Sequence, residues 1–295
     1  MRFWRGRTAL MFVAMTGILV ALGTVVGHIF QNMWLGFYIM MGLSLAIVFA
    51  SYFFSKQMAL SGNKARIITR EEEPRLYDTV QRLADKAGLP MPQVGISEIN
   101  MPNAFATGRN PKNAAVVATR PLLQMLNDDE LEGVLAHELS HVKNRDILVM
   151  SVAAAMASII TYVTRMAMFS ALFSNNRDNG AGLILLIVAD LTLPFAAMLI
   201  QLGVSRNREY LADESGARLT GRPMALASAL QVLETGCSSG RNNYDNPSCA
   251  NMWITNPYGR KRSKGFDAMF RTHPTTEDRI SRLRDLDAEL NGNRH

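Results

Sequence analysis

The sequence predicts a multi-pass α-helical membrane protein with a folded α+β part outside the bilayer. The stretch from Thr8 to Ser55 contains no Asp, Glu, Lys or Arg, and a helix needs about 20 apolar residues to cross the hydrocarbon core. Hydrophobic residues make up 48% of the 295-residue chain and charged residues 19%, below the roughly 25% usual in soluble domains. The charged residues gather in two polar segments, which therefore form the water-exposed part.

Four apolar runs predict four transmembrane helices. They are Thr8–Phe30, Met33–Phe54, Ile147–Phe173 and Ala181–Val204. The first two runs carry no charge, whereas Arg165 interrupts the third and Asp190 and Pro194 interrupt the fourth. A buried helical hairpin in the water-exposed part is the alternative for the last two runs, and it would leave two spans.

These runs divide the chain into four segments with a predicted orientation. The segments are residues 1–54 (two transmembrane helices), 55–146 (polar, mixed), 147–204 (transmembrane helices three and four) and 205–295 (a C-terminal helical part). Most Lys and Arg residues lie in the two polar segments, and three Arg precede the first span. Because cytoplasmic loops of membrane proteins carry the excess of basic residues, we expect both termini and both polar segments in the cytosol.

Composition excludes several classes of protein. The chain has only two Cys, Cys237 and Cys249, so a disulfide-stapled secreted fold is excluded and a structural zinc site built on Cys is not expected. The net charge of +6 is compatible with nucleic-acid binding, but the long uncharged runs favour a membrane whose anionic face attracts the basic residues. We therefore expect membrane lipids, and no nucleic acid, among the partners.

The polar segments combine helices with short strands. Apolar residues at helical spacing predict helices at Pro74–Gly88, Met224–Glu234 and from Thr275 onward. Short apolar stretches bounded by Asn, Pro and Gly predict strands at Gln93–Ile99, Ala104–Gly108 and Ala114–Thr119. Asn127 and Glu130 resemble a capping box, so another helix should begin there. Residues 236–265 read as a long loop.

The helix that begins after Asn127 carries a metal-binding pattern, since residues 137 to 141 read His-Glu-Leu-Ser-His. The spacing of His137 and His141 puts both imidazoles on one helix face, about 6 Å apart, which suits two ligands of one zinc ion. Glu138 projects beside that face, where a carboxylate can take a proton from a zinc-bound water. A surface helix without metal is the alternative for this pattern alone.

Glu209 is the candidate third ligand, because catalytic zinc usually has three protein ligands and a water. Asp213, one helical turn later, could orient the ring of a ligand His. His141 lies six residues before the third apolar run, roughly 9 Å from the membrane at helical rise, and Glu209 lies roughly 7.5 Å beyond the fourth run. Both would then reach the same height above the cytosolic surface. A solvated helix charge is the alternative for Glu209.

Together these sequences resemble the HtpX family of membrane zinc metalloproteases, which is related to the type I CAAX prenyl endopeptidases. The resemblance rests on the His-Glu-Leu-Ser-His sequence with Asn144 and Asp146, on Arg208-Glu209 with Ala212-Asp213, on Asn103–Gly108, and on Thr272-His273-Pro274. It implies a zincin-like domain, one zinc ion, endopeptidase activity on membrane or misfolded proteins, and a role in stress response and quality control at the plasma membrane. Thr275 departs from the family, which often has a second Pro there.

The resemblance also implies roles for single residues. His137, His141 and Glu209 become the zinc ligands and Glu138 the general base, and Asp213 and Asn144 become candidate supporting residues. Asn103, Ala104 and Phe105 belong to a strand that would line the substrate cleft, although a plain core strand is the alternative. Asn144 can equally be a helix-surface residue, and Asp146 is interpreted as marking the membrane boundary.

His273 is the candidate donor to the oxyanion of the transition state, because it precedes a predicted helix N-terminus. A His that only packs at the start of that helix is the alternative. A non-catalytic zinc-binding membrane scaffold, or a transporter-like bundle using Arg165 and Asp190, is the alternative function, and it would leave Glu138, Glu209 and Asp213 unexplained.

Overall fold

The computed structural model describes residues 32–148, 206–239 and 274–292, together with a few isolated positions between 13 and 24. The chain separates into two compact units. One consists of Met1–Phe54 with Ala155–Leu202, and the other of Ser55–Ala154 with Gly203–His295. Most of the predicted first and third spans, the fourth span, residues 240–265 of the predicted 236–265 loop and His273 lie outside the described residues. Residues 236–239 are not loop, because the helix predicted to end at Glu234 continues to Ser239.

A long helix, α1, extends over Met33–Gly62. Its stretch Met33–Ala50 is apolar and long enough to cross a membrane, and within the described ranges it is the one helix of that kind. Apolar side chains on this stretch are largely exposed, with Trp34 at 63% and Phe49 at 61%. The helix continues two turns beyond the predicted end at Phe54, because Ala59 packs in a cluster with buried apolar residues of the α+β part.

Four short strands form one mixed sheet in the order β1-β2-β4-β3. They are β1 (Ala65–Ile67), β2 (Gln93–Ser97), β3 (Ala104–Gly108) and β4 (Ala114–Thr119). Strands β2 and β4 are parallel, whereas β1 and β3 are antiparallel to their neighbours. The three predicted strands are confirmed, with β2 ending two residues early. Strand β1 was not predicted from the sequence, and its residues are mostly exposed.

Six further α-helices have described bounds, and a short 3₁₀ helix, Pro111–Asn113, connects β3 to β4. The six α-helices are α2 (Pro74–Ala87), α3 (Arg120–Met125), α4 (Asp128–Lys143), α5 (Arg206–Thr220), α6 (Pro223–Ser239) and α7 (Thr276–Asn291). The predicted capping box is present, since the Glu130 N–H donates to Asn127 Oδ1 at 2.9 Å and the Asn127 N–H donates to Glu130 Oε2 at 3.1 Å. Thr275 caps α7 by accepting the Asp278 N–H at 3.1 Å.

Helix α4 lies at the centre of the larger core. Nearly all of its residues from Glu130 to Val142 are buried, and it packs against α5, α6, α2 and β3. Glycine at position 133 permits the contact with α6, because a Cβ there would lie 3.0 Å from the backbone nitrogen of Leu226. A helix enclosed on several sides in this way holds its polar side chains away from bulk water.

Candidate metal centre

The two predicted histidines lie side by side on α4. His137 is 1% exposed and His141 2%, and their rings meet edge to face with centroids 4.8 Å apart. The Nε2 atoms of the two rings are 3.3 Å apart. Both rings therefore direct the same nitrogen toward one point, as the i and i+4 spacing on a helix predicts.

Glu209, in the first turn of α5, completes a group of three. Its carboxylate oxygens lie 3.7 Å from His137 Nε2 and 3.5 Å from His141 Nε2, and the three candidate ligand atoms lie within 4.8 Å of one another. Gly216 allows this approach, because a Cβ there would lie 2.8 Å from the backbone nitrogen of His137. The two helices can thus pack closely enough for a carboxylate from α5 to reach histidines on α4.

A buried carboxylate faces the other nitrogen of each ring. Asp213 Oδ1 lies 2.8 Å from His137 Nδ1, and Asp146 Oδ2 lies 3.3 Å from His141 Nδ1. A carboxylate at Nδ1 favours the tautomer that carries its proton there, which leaves the Nε2 lone pair for a metal. Each ring thus has a carboxylate at its Nδ1, although only the His141–Asp146 contact has hydrogen-bond geometry, whereas Asp213 lies close to His137 Nδ1 without it.

Asp146 reaches His141 through the turn that ends α4. The Asp146 N–H donates to the His141 carbonyl at 2.9 Å and the Arg145 N–H to the Val142 carbonyl at 3.1 Å, which is the Schellman pattern. Arg145 takes the left-handed conformation that this turn requires, with φ of 60°. The turn folds the side chain of Asp146 back under the helix, where it is 0% exposed.

This turn corrects two sequence interpretations. Asp146 does not simply mark a membrane boundary, because it is fully buried beside His141. The helix also ends at Lys143 instead of rising straight into the third apolar run, so the height estimated for His141 at helical rise does not apply. Glu209 and the histidines meet nevertheless, because the contact between α4 and α5 brings them together.

Two buried arginines hold the two carboxylates. Arg279 of α7 binds both oxygens of Asp213, with Nη2 at 2.6 Å from Oδ1 and Nε at 2.8 Å from Oδ2. Arg208 lies next to Glu209 in sequence, and its Nη1 is 3.5 Å from Asp146 Oδ1. Neither arginine contact follows from the sequence interpretation. One feature of the sequence could have indicated that Arg279 is buried and paired: it lies on the apolar face of the last helix, together with Leu283 and Leu286.

Glu138 is buried beside the group, 5% exposed. Burial raises the pKa of its carboxyl, and the nearby Glu209 raises it further, whereas the two histidines and a hydrogen bond from the Ala106 backbone N–H oppose that rise. A carboxyl with a raised pKa is better suited to accept and return a proton near neutral pH. The contact with Ala106 also places this carboxyl next to strand β3.

The donor set fits a divalent cation. Without metal, burial lowers the pKa of His141, but hydrogen bonding to Asp146 and the charges of Glu209 and Glu138 outweigh burial and raise it to about 9. The site therefore attracts positive charge strongly enough to hold a proton where a cation would bind. Two imidazoles and one carboxylate are the ligand types that zinc takes in catalytic sites.

The remaining predicted residues lie around this centre or outside the described part. Asn103 and Ala104 are buried in and beside β3, and Phe105 packs in the second core cluster with Met101 and Val117. Asn144 is the C-cap of α4; the carboxylate that contacts His141 belongs to Asp146 instead. The oxyanion role of His273 stays a prediction.

Two imidazoles one turn apart on a buried helix, a carboxylate from a second helix and another buried Glu beside them define the active-centre type of a zinc metallopeptidase. The model of peptidase family M48 matches residues 70–287. A "Protease HtpX homolog" from Pyrococcus furiosus is 45% identical over 287 residues, which cover 96% of each chain. A "Protease HtpX homolog" from Syntrophobacter fumaroxidans is 41% identical and covers 96% of this chain and 99% of the relative.

The chain therefore belongs to peptidase family M48, and it is a membrane-bound zinc metalloprotease of the HtpX type. The crystal structure of Ste24p from S. mikatae is similar in fold, with a TM-score of 0.51 at 20% identity over 94% of this chain. This chain spans 64% of the length of that Ste24p chain. Family membership overturns the alternative of a non-catalytic scaffold or transporter.

Proposed function

We propose that the protein is a zinc-dependent endopeptidase that cleaves membrane or misfolded proteins at the cytosolic surface of the plasma membrane, as part of membrane-protein quality control. In this proposal His137, His141 and Glu209 hold the zinc ion and Glu138 is the general base. The observation that carries it is the convergence of three candidate ligand atoms within 4.8 Å, all on buried side chains, with Glu138 buried beside them.

Bound at these three side chains, zinc would supply Lewis acidity that polarises a scissile carbonyl and lowers the pKa of water. The Glu138 carboxylate accepts the proton of the attacking water and passes it to the leaving amine. Asp213 and Asp146 keep the two imidazoles in the tautomer that binds metal through Nε2. The enclosing helices exclude bulk water, which strengthens these electrostatic interactions.

Strand β3 is the proposed docking edge for substrate. It is an outer strand of the described sheet. The Asn103 carbonyl accepts the Thr119 N–H at 2.9 Å, so alternate residues face β4 and the backbones of Ala104 and Ala106 turn toward the other edge. The Ala106 N–H already contacts Glu138. A substrate strand that pairs with the Ala104 backbone would then lie beside the general base; because Ala104 is 0% exposed, such pairing requires this edge to be uncovered first.

The presence of an apolar helix in the same chain supports membrane proteins as substrates. The exposed apolar stretch Met33–Ala50 is long enough to cross the bilayer, and the two polar segments carry most of the basic residues. We propose four spans, with both termini and the active site in the cytosol and with lipids around the apolar helices. Substrates that reside in the same bilayer would be held in the same membrane as the protease.

Glu138→Gln tests the proposed mechanism. The amide keeps the shape of the side chain but cannot accept the proton, so we expect full zinc content and a loss of proteolysis of about 10²–10⁴-fold. Casein digestion by detergent-purified, zinc-loaded protein measures this, and exposed Glu214→Gln serves as the control. Parent-like cleavage by zinc-loaded Glu138→Gln would remove Glu138 from the mechanism.

A further inference from the structure

Arg279 is a buried cation that the proposed reaction does not use. It lies in the second turn of α7 and is 2% exposed. A guanidinium in the protein interior costs free energy unless its charge and its donors are paired. Its fork meets both oxygens of Asp213, at 2.6 Å and 2.8 Å, in the planar bidentate arrangement that Arg forms with carboxylates and Lys cannot.

The same carboxylate oxygen also faces a candidate zinc ligand. Asp213 Oδ1 accepts from Arg279 Nη2 and lies 2.8 Å from His137 Nδ1. Because the fork binds both oxygens, it fixes the plane of the carboxylate. The carboxylate in turn fixes the orientation and the tautomer of the His137 ring, and therefore the direction of its Nε2 lone pair.

The sum of the buried charges around the histidines is consistent with one divalent cation at the centre. The buried acids at the centre are Glu138, Glu209, Asp146 and Asp213, and the buried arginines are Arg208 and Arg279. The acids exceed the arginines by two, so one divalent cation with neutral histidines balances the site. Arg279 thus neutralises Asp213 without competing for the position at which the Nε2 atoms converge.

We propose that Arg279 is a positioning residue of the zinc centre, by which the C-terminal helix α7 sets the orientation of His137 and hence the affinity for zinc. This inference rests on the ligand assignment in the proposed function. It makes α7, which carries no proposed zinc ligand, a part of the metal centre.

Arg279→Lys separates geometry from charge. Lysine keeps the positive charge, so the Coulomb attraction between the centre and zinc is preserved, but it cannot grip both oxygens of Asp213. We expect the zinc Kd of the full-length, detergent-purified protein to rise by about 10-fold, at the lower end of the range for residues that support a ligand. Competition with a chelator of known affinity measures this Kd. Arg284→Lys, on the exposed face of the same helix, is the matched control and should match the parent.

A second measurement distinguishes positioning from a structural role. Loss of packing alone would lower the melting temperature of the metal-free and zinc-loaded forms equally and leave the Kd unchanged, whereas a weaker Kd reduces the stabilisation by zinc. If metal-free Arg279→Lys is too unstable to titrate, the zinc-loaded variant is placed in excess chelator and zinc release is timed. We expect release about 10-fold faster than in the parent, and a parent-like rate would overturn the proposal.

A double-mutant cycle tests the route through Asp213. Once Asp213→Asn has removed the carboxylate, Arg279→Lys should not raise the zinc Kd further, because residues that act through one another have non-additive effects. A parent-like Kd in Arg279→Lys, or a full additional rise in the Asp213→Asn background, overturns the inference. Failure of the proposed function looks different, since then the parent itself binds no stoichiometric zinc or Glu209→Ala binds it as tightly as the parent.

Discussion

At the scale of single residues, the metal centre depends on side chains that are buried, charged and paired. Each candidate ligand histidine has one nitrogen directed to the common point and the other directed to an aspartate. Each aspartate in turn lies against an arginine. A buried charge that loses its partner costs free energy. Substitution of one residue in such a chain should therefore also disturb the position or the charge of the residue that it contacts.

Glu209→Ala tests the third ligand. Two imidazoles leave zinc with too few protein ligands for a stable catalytic site, so we expect the purified variant to contain less than a stoichiometric amount of zinc. Metal analysis of protein purified without chelator gives the answer. Glu214→Ala, an exposed carboxylate on the same helix, is the control and should keep its zinc; retention of zinc by Glu209→Ala would place the third ligand elsewhere.

Asp146→Asn tests the buried carboxylate beside His141, which was predicted from the sequence to mark the membrane boundary. The neutral amide oxygen accepts a weaker hydrogen bond from His141 Nδ1–H than a carboxylate does, and the substitution removes the negative charge that lies 3.5 Å from Arg208 Nη1. We expect the zinc Kd to rise by about 10–100-fold, measured by chelator competition. Asn144→Ala, at the C-cap two residues before, should change the Kd less; an equal effect would favour Asn144 as the supporting residue.

At the scale of secondary structure, local signals predicted the elements, and the motif spacing brought Glu209 and Asp213 to the histidines, but two other long-range or turn-dependent contacts of the centre were not predicted. The capping box at Asn127, the strand Ala104–Gly108 and the apolar face of α7 are encoded within a few residues, and all three are observed. The contacts of Asp146 and Arg279 were missed for different reasons. The contact of Asp146 with His141 depends on a left-handed turn at Arg145, where no glycine signals such a turn. The contact of Arg279 with Asp213 joins residues 66 positions apart, and no local pattern indicates it.

Gly216→Ala tests the contact between α4 and α5. The new methyl group would lie 2.8 Å from the His137 nitrogen and 3.0 Å from the Ala136 carbonyl carbon, and these backbone atoms cannot move aside cheaply. We expect a loss of about 1–3 kcal/mol in the free energy of unfolding. The zinc Kd should also rise, because the new methyl group would push α5 away from α4 and so move Glu209 and Asp213 away from His137.

Gly133→Ala is the matched comparison for this substitution. Its methyl group would press on Leu226 of α6, 3.0 Å from that backbone nitrogen, and so would disturb the core without separating α4 from α5. Thermal unfolding should show both variants destabilised, whereas chelator competition should show weaker zinc binding only for Gly216→Ala. Equal zinc affinities in the two variants would contradict the proposed role of Gly216.

At the scale of the whole molecule, the sequence predicts four membrane spans and their orientation, and the described residues test only part of that prediction. The run Met33–Phe54 predicted a span and is observed as an apolar helix, whereas the third and fourth runs and His273 fall outside the described ranges. Hydropathy reports the free energy of transfer of a segment into a bilayer. It does not report which face of the membrane receives the loop at Asn175–Gly180, and that depends on the distribution of basic residues.

Cysteine labelling tests the proposed topology. Most Lys and Arg lie in residues 55–146 and 205–295, so these segments should stay in the cytosol and the short loop at 175–180 should reach the outside. Single cysteines introduced at Asn176 and at Gly240, in a background with Cys237 and Cys249 replaced by Ser, are exposed to an impermeant thiol reagent in intact cells and again after permeabilisation. We expect Asn176→Cys to react in intact cells and Gly240→Cys to react only after permeabilisation. Protection of both positions in intact cells would instead indicate two spans with a hairpin on the cytosolic side.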